Sequence, residues 1–126
     1  RFKQFNDTYG HLAGDQVLIM VGENIRKPLR PNDMVARFGG EEFCVLLPET
    51  KIEHAVEIAE RLRERISKAD PGVIDGQQLP RVTISLGVTE YKPGYSLETM
   101  IASADVAMYH AKQKGRNCVE VAGSHH

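Results

Sequence analysis

Two adjacent glycines, Gly39 and Gly40, stand between Met34-Val35-Ala36-Arg37-Phe38 and Phe43-Cys44-Val45-Leu46-Leu47. Both flanking runs are short, apolar and rich in strand-forming residues, and a glycine pair between them supplies the positive φ of a tight hairpin turn. This stretch fixes an antiparallel pair early in the chain, so every other element has to be arranged around a sheet. Its tip is unusual in carrying two carboxylates, Glu41 and Glu42. Acids on a side-chain-free turn read in two ways: as solvated surface charges, or as oxygen ligands for a hard divalent cation beside backbone that a phosphate can approach.

The 126 residues suffice for one domain with a core. Hydrophobic content of 41%, charged content of 26% and a net charge of −1 describe an ordinary globular protein, with no general nucleic-acid or membrane surface. The longest apolar run, Val17-Leu18-Ile19-Met20-Val21, is too short to span a bilayer, and no signal peptide is visible. Cys44 and Cys118 lie in predicted strands far apart in sequence and read as separate buried thiols. Gly123-Ser124-His125-His126 reads as a tag remnant, leaving residues 1–122 as the domain.

Along the chain, residues 1–13 read as a loop, and Gly14-Asp15 introduce a helix of about 13 residues whose apolar face is Val17, Leu18, Val21, Ile25 and Leu29. Asp15 is a candidate N-cap or first-turn acid. Pro28 and Pro31 stop this helix. After the hairpin, Thr50-Lys51-Ile52-Glu53 has the form of a capping box. The helix behind it buries Ile52, Ala55, Val56, Ala59, Leu62 and Ile66, with Glu57, Glu60, Arg61, Arg63, Glu64 and Arg65 on the wet side. Asp75-Gly76 marks a turn or small hairpin, and residues 81–91 alternate as a strand. Ser96 caps a last helix that Gly115 ends, and 117–121 form a final strand. The order α, β-hairpin, α, β, α, β gives an α+β domain, helices packed on an antiparallel-rich sheet. A ferredoxin-like βαββαβ core needs one more strand before the first helix, so the sequence is expected to start after that strand.

Four stretches now add up. They are Phe2-Lys3-x-Phe5-Asn6-Asp7-x-Tyr9-Gly10-His11-x-x-Gly14-Asp15, the hairpin Arg37 to Phe43, Val82 to Val88, and Ala104-Asp105-x-Ala107-Met108-Tyr109-x-Ala111-Lys112-x-x-Gly115-Arg116-Asn117. Together and in this order they resemble the GGDEF family of diguanylate cyclases, in its GGEEF form. The resemblance implies a fold similar to nucleotidyl cyclase and polymerase palm domains. It implies condensation of two GTP into cyclic di-GMP with release of two pyrophosphates, by two domains meeting as a homodimer and with two Mg²⁺ (or Mn²⁺) per site. It further implies a bacterial cytoplasmic protein, either free or the cytoplasmic part of a membrane-bound sensor.

The same resemblance assigns roles. Glu41 matches the metal ligand and proton acceptor, with Glu42 a second metal ligand, and Lys3 matches a catalytic cation. Asn6, His11, Asp15, Gly39, Gly40, Lys112 and Arg116 match GTP contacts. Arg30, Asp33 and Arg61 match a product-inhibition site for cyclic di-GMP, Arg30 and Asp33 forming its RxxD motif. The chemistry suits these roles. A carboxylate accepts from guanine N1–H and N2–H, an Arg fork grips phosphate or guanine O6/N7, and cations spread phosphoryl charge. Each residue also has a bland alternative: Asp15 as N-cap, Lys112 as helix-end charge, Asn6 in an Asx turn, Arg30 and Asp33 as an intraturn ion pair. In the family the first strand ends in a metal-binding Asp, absent here, which bears on activity of this stretch alone. The alternative function is a catalytically weak or inactive cyclic di-GMP-binding receptor or regulatory module.

Overall fold

The computed structural model describes residues 2–38 and 42–123. Gly39, Gly40 and Glu41 lie outside them, as do the last three positions. Two compact units are present: one runs to Leu46 and takes in Lys68–Val82, and the other joins Leu47–Ser67 to Thr83 onward.

The first unit opens with helix α1, Phe2–Tyr9, where a loop is expected from the sequence. The turn-forming residues Asn6, Asp7 and Thr8 are overridden by a helical apolar spacing at Phe2, Phe5 and Tyr9. The Phe5 and Tyr9 rings lie 4.8 Å apart, one turn from each other. Gly10, at φ 92°, ends this helix and starts the next. Its N–H donates to Asn6 O at 2.7 Å, and its own carbonyl accepts from Gly14 N at 3.1 Å.

Helix α2 therefore spans His11–Arg26, with Gly10 as N-cap. Asp15 lies a full turn inside it and is not the cap. Ala13, Val17, Leu18, Val21 and Ile25 are buried along its inner face. Strands β1, Met34–Phe38, and β2, Glu42–Leu46, pair antiparallel with Phe38 opposite Glu42. β2 begins one residue earlier than the sequence suggests, so Glu42 belongs to the ladder. A Cβ on Gly22 would lie 3.2 Å from the Phe43 ring, so glycine lets α2 sit close on the hairpin. Strands β3, Val73–Ile74, and β4, Gln77–Gln78, form the small hairpin expected around Asp75-Gly76, with φ 51° and 77° at those two residues. Gln16 of α2 donates to Pro71 O at 2.8 Å, which ties this hairpin's base to α2.

In the second unit, helix α3 spans Ile52–Lys68 and buries Ala55, Ala59, Leu62 and Ile66. Its start does not use the expected capping box. Thr50 Oγ1 donates to Pro48 O at 3.0 Å, and the Ile52 amide is capped by Glu90 Oε2 at 3.1 Å. A carboxylate at a helix N-terminus satisfies an orphan donor and the dipole together, which a distant residue does as well as a neighbour. Strand β5 is only Leu86–Val88, much shorter than the alternation over 81–91 predicts. A ladder needs a partner as well as a pattern, and among the described residues only Leu86–Val88 has one: β6, Val119–Val121, which runs parallel to it. Helix α4, Leu97–Gln113, makes the crossover between them, a βαβ unit. Ser96 caps α4 as expected, accepting from Thr99 N at 3.1 Å.

Gly87 sets how close α4 lies to β5. A Cβ there would overlap the Ala104 carbonyl oxygen and come within 2.5 Å of Met108 N. Cys44 and Cys118 are free and half-buried, less enclosed than expected. Burial pushes the Cys44 thiol pKa upward. The described residues form four helices, two antiparallel ladders and one parallel ladder, an α+β fold.

Candidate functional site

The candidate residues are divided between the two units. In the first unit, Lys3, Asn6, His11 and Asp15 all sit on α1 and α2. Lys3, His11 and Asp15 are exposed, whereas Asn6 is half-buried. The α1–α2 contact is made at Gly14, where an added Cβ would overlap Asn6 Oδ1 and lie 3.1 Å from Phe2 Cζ. This close approach buries Asn6 Oδ1, and the atom has no hydrogen-bond partner among the described residues. An orphaned buried acceptor costs about 1–3 kcal/mol. Such a group in a native fold calls for a donor from outside the chain, an ordered water or a ligand.

Glu42 opens β2 opposite Phe38 and is exposed. Glu41, Gly39 and Gly40, also assigned to the site from the sequence, lie outside the described residues. Among the described residues no group of three or more His, Cys, Asp or Glu could hold a metal ion. Glu42 is the one described member of the expected metal set. Its carboxylate is the hard oxygen donor that Mg²⁺ or Mn²⁺ takes, but one carboxylate is not a complete site.

Upstream of the hairpin, Arg30 and Asp33 meet each other. Arg30 Nη2 donates to Asp33 Oδ1 at 2.9 Å, Arg30 Nε donates to the same carboxylate at 3.2 and 3.3 Å, and the Arg30 amide donates to Oδ2 at 2.8 Å. Asp33 N donates back to Arg30 O at 3.0 Å. The intraturn pair weighed as the bland alternative is thus present. Arg61 lies exposed on α3, in the other unit.

In the second unit, Lys112 and Arg116 flank the C-terminus of α4. The helix ends in a Schellman arrangement: Arg116 N donates to Ala111 O at 3.0 Å and Gly115 N to Lys112 O at 3.4 Å. Gly115, Arg116 and Asn117 then run through three consecutive positive φ values, 114°, 64° and 47°. The charges around this turn divide into two sets. Lys114 pairs with Glu120 at 2.7 Å, and Arg63 pairs with Glu60 at 3.2 Å. Lys112 and Arg116 make no ion pair among the described residues, though both are half-buried. A half-buried cation left without a carboxylate is suited to receive an anion.

Sequence reasoning missed Arg63, placing it on the wet side of α3. Its side chain is 19% exposed and reaches Asn117 Oδ1 at 3.1 Å. The available signal was its spacing: Glu60 three residues before and Glu64 one after hold its fork. Gly14 was quoted in its motif, but the contact that requires it was not foreseen.

Residues 1–118 match the family model described as diguanylate cyclase, GGDEF domain. This chain belongs to that family. It is 46% identical over 121 residues to the diguanylate cyclase DgcP of Pseudomonas aeruginosa, covering 96% of this chain and 18% of that protein. It is 41% identical over 119 residues to the diguanylate cyclase DgcM of Escherichia coli K12, covering 94% and 28%. The chain thus spans less than a third of the length of either relative. The fold superposes on the GGDEF domain of DgcB from Caulobacter crescentus, solved in complex with c-di-GMP, with a TM-score of 0.93 and 37% identity, covering 98% of this chain and 71% of that one. It also superposes on the active GGEEF domain of a diguanylate cyclase from Vibrio cholerae, with a TM-score of 0.84 and 28% identity, covering 97% and 76%.

Proposed function

We propose that this chain is the nucleotide-condensing domain of a diguanylate cyclase, joining two GTP into cyclic di-GMP with release of two pyrophosphates. The observation that carries the reading is the buried, partnerless Oδ1 of Asn6. A guanine N1–H or N2–H is a donor of the type that atom lacks. Family membership adds the rest of the assignment. Asp15 and His11 complete the nucleotide contacts, and Gly39 and Gly40 let backbone meet the phosphates. Lys112 and Arg116 receive the terminal phosphates, in keeping with their unpaired charges. Lys3 balances charge on the transferring phosphoryl group.

Glu41 and Glu42 would hold two divalent cations, Mg²⁺ or Mn²⁺, with Glu41 also taking the proton of the ribose 3′-hydroxyl. When bound, the cations lower that hydroxyl's pKa and neutralise charge on the attacking and leaving oxygens. One domain holds one GTP, so the reaction needs a second copy facing the first, a homodimer. Arg30, Asp33 and Arg61 would bind the product and restrain the enzyme. Because Arg30 and Asp33 already hold each other, product binding there exchanges an internal pair for contacts to the ligand.

The test is incubation of the intact protein with GTP and Mg²⁺. Cyclic di-GMP that forms in the wild type and is lost in Glu41→Ala supports the reading. GTP left unchanged while labelled cyclic di-GMP still binds supports a receptor instead.

A further inference from the structure

The turn that carries Arg116 is strained, and its strain is held from outside. Arg116 and Asn117, neither of them glycine, take φ 64° and 47° directly after Gly115. Consecutive left-handed non-glycine residues persist only where surrounding contacts fix them, and such positions gather at ligand clamps. The backbone contacts are the Schellman bonds of the preceding helix end. One side-chain contact reaches the turn from a different helix: Arg63 Nη1 on α3 donates to Asn117 Oδ1 at 3.1 Å, across 54 residues of sequence.

Arg63 is itself held. Glu60 accepts from Nε at 3.2 Å and from Nη2 at 3.5 Å, so both faces of the fork are committed. Glu64 stands at 3.9 Å. The chain Glu60–Arg63–Asn117 thus runs from one helix to the residue next to Arg116. Arg116, at the end of it, has no ion pair of its own among the described residues.

We infer that Arg63 is a positioning residue: through Asn117 it locks the left-handed turn and holds the Arg116 guanidinium ready for the terminal phosphates of the nucleotide. The inference rests on the proposed phosphate role of Arg116. Arg suits the task because its planar fork donates to Glu60 and Asn117 at once, which a lysine ammonium on a flexible stem does not reproduce. The lock matters because a phosphate clamp is effective only when its donors are oriented before the ligand arrives.

The test compares two probes on the intact protein with Mg²⁺. 3′-Deoxy-GTP carries the triphosphate but lacks the attacking hydroxyl, so it binds without reacting. GMP carries guanine and ribose without the terminal phosphates. Arg63→Gln is expected to weaken 3′-deoxy-GTP binding about tenfold, the scale of one charge-assisted contact, and to leave GMP binding unchanged. Arg63→Lys is expected to behave like Arg63→Gln. Asn117→Gly keeps the left-handed backbone and removes the acceptor. It should fold at least as stably as the wild type and lose the same affinity for 3′-deoxy-GTP. In an Arg116→Ala background, Arg63→Gln should have no further effect.

Loss of affinity for both probes in parallel would show a general structural role and overturn the inference. Wild-type affinity for 3′-deoxy-GTP in Arg63→Gln and Asn117→Gly, with Arg116→Ala impaired, would overturn the inference and leave the phosphate role standing. Unchanged affinity in Arg116→Ala itself would remove the phosphate role and the inference with it.

Discussion

Arg30 grips Asp33 across one turn, with Nη2 2.9 Å from Oδ1 and the Arg30 amide 2.8 Å from Oδ2. The Asp33 side chain is only 2% exposed, while that of Arg30 is half exposed. The carboxylate is therefore already held in place by the Arg30 fork and amide.

Replacing Arg30 follows from this geometry. Arg30→Ala is expected to weaken cyclic di-GMP binding at least tenfold, since it deletes a charge-assisted fork. It should relieve product inhibition without raising the GTP requirement. Its effect on folding should be modest, about 1 kcal/mol, because Arg30 is half exposed and its loss lets water reach the Asp33 carboxylate, which keeps the Arg30 amide as donor. Calorimetric titration with cyclic di-GMP and progress curves with added product check both parts. Unchanged product affinity would remove Arg30 from the inhibitory site.

Gly87 and Gly14 are packing glycines, and their alanine variants are expected to differ in kind. At Gly87 the added methyl meets backbone, Ala104 O and Met108 N, which cannot swing aside. Overpacking of this sort costs about 1–3 kcal/mol, and a backbone clash belongs at the top of that range. At Gly14 the methyl meets the Asn6 amide, a side chain able to rotate away. Gly14→Ala should therefore keep more stability than Gly87→Ala, yet lose guanine-nucleotide affinity because Asn6 is displaced. Thermal unfolding beside GMP titration separates the two effects.

Asp70 gives the pH prediction. Its carboxylate accepts from Gly72 N at 2.9 Å and from Gln78 Nε2 at 2.8 Å, and with Arg81 nearby these hold its pKa below the ordinary 3.8. The folded state thus favours the charged form. Its contribution is fully present above the ordinary carboxylate value and is lost as pH falls through the lowered one. Asp70→Asn should narrow the stability difference between pH 6 and pH 3 relative to wild type, measured by denaturant unfolding at each pH. An unchanged difference would contradict the assignment.

Ser96→Ala removes the side-chain acceptor of the Thr99 amide, a bond of 3.1 Å. A loss of about 1 kcal/mol is expected, seen as a lower unfolding midpoint. Because α4 also carries Lys112, GTP affinity should fall only where the helix frays.

Much of this fold was legible because local chemistry and tertiary packing agree. The glycine pair, the stripe Ala55–Ala59–Leu62–Ile66, the Ser96 cap and the Gly115 stop each specify one element unaided. The failures have a common cause in partners remote in sequence. Asn6-Asp7-Thr8 reads as a turn, but Phe2, Phe5 and Tyr9 make that segment helical and Gly10 ends it. Thr50 looks like a cap, but Glu90, 38 residues away, reaches the Ile52 amide. Residues 81–85 alternate like a strand without a ladder partner among the described residues. The site divides in the same way. Its candidate residues came from the family resemblance of the motifs. The orphaned Oδ1 of Asn6, the closed Arg30–Asp33 pair and the Arg63–Asn117 bond depend on geometry that spacing does not encode.

Under the proposed function this domain condenses GTP. The most direct measurement is a phosphorus NMR time course of the intact protein with GTP and Mg²⁺. Pyrophosphate and cyclic di-GMP should appear together in a two-to-one ratio, at a rate that falls as product accumulates, and neither should form in Glu41→Ala. GTP that persists unchanged in the wild type, or pyrophosphate released at the same rate by Glu41→Ala, would contradict the account.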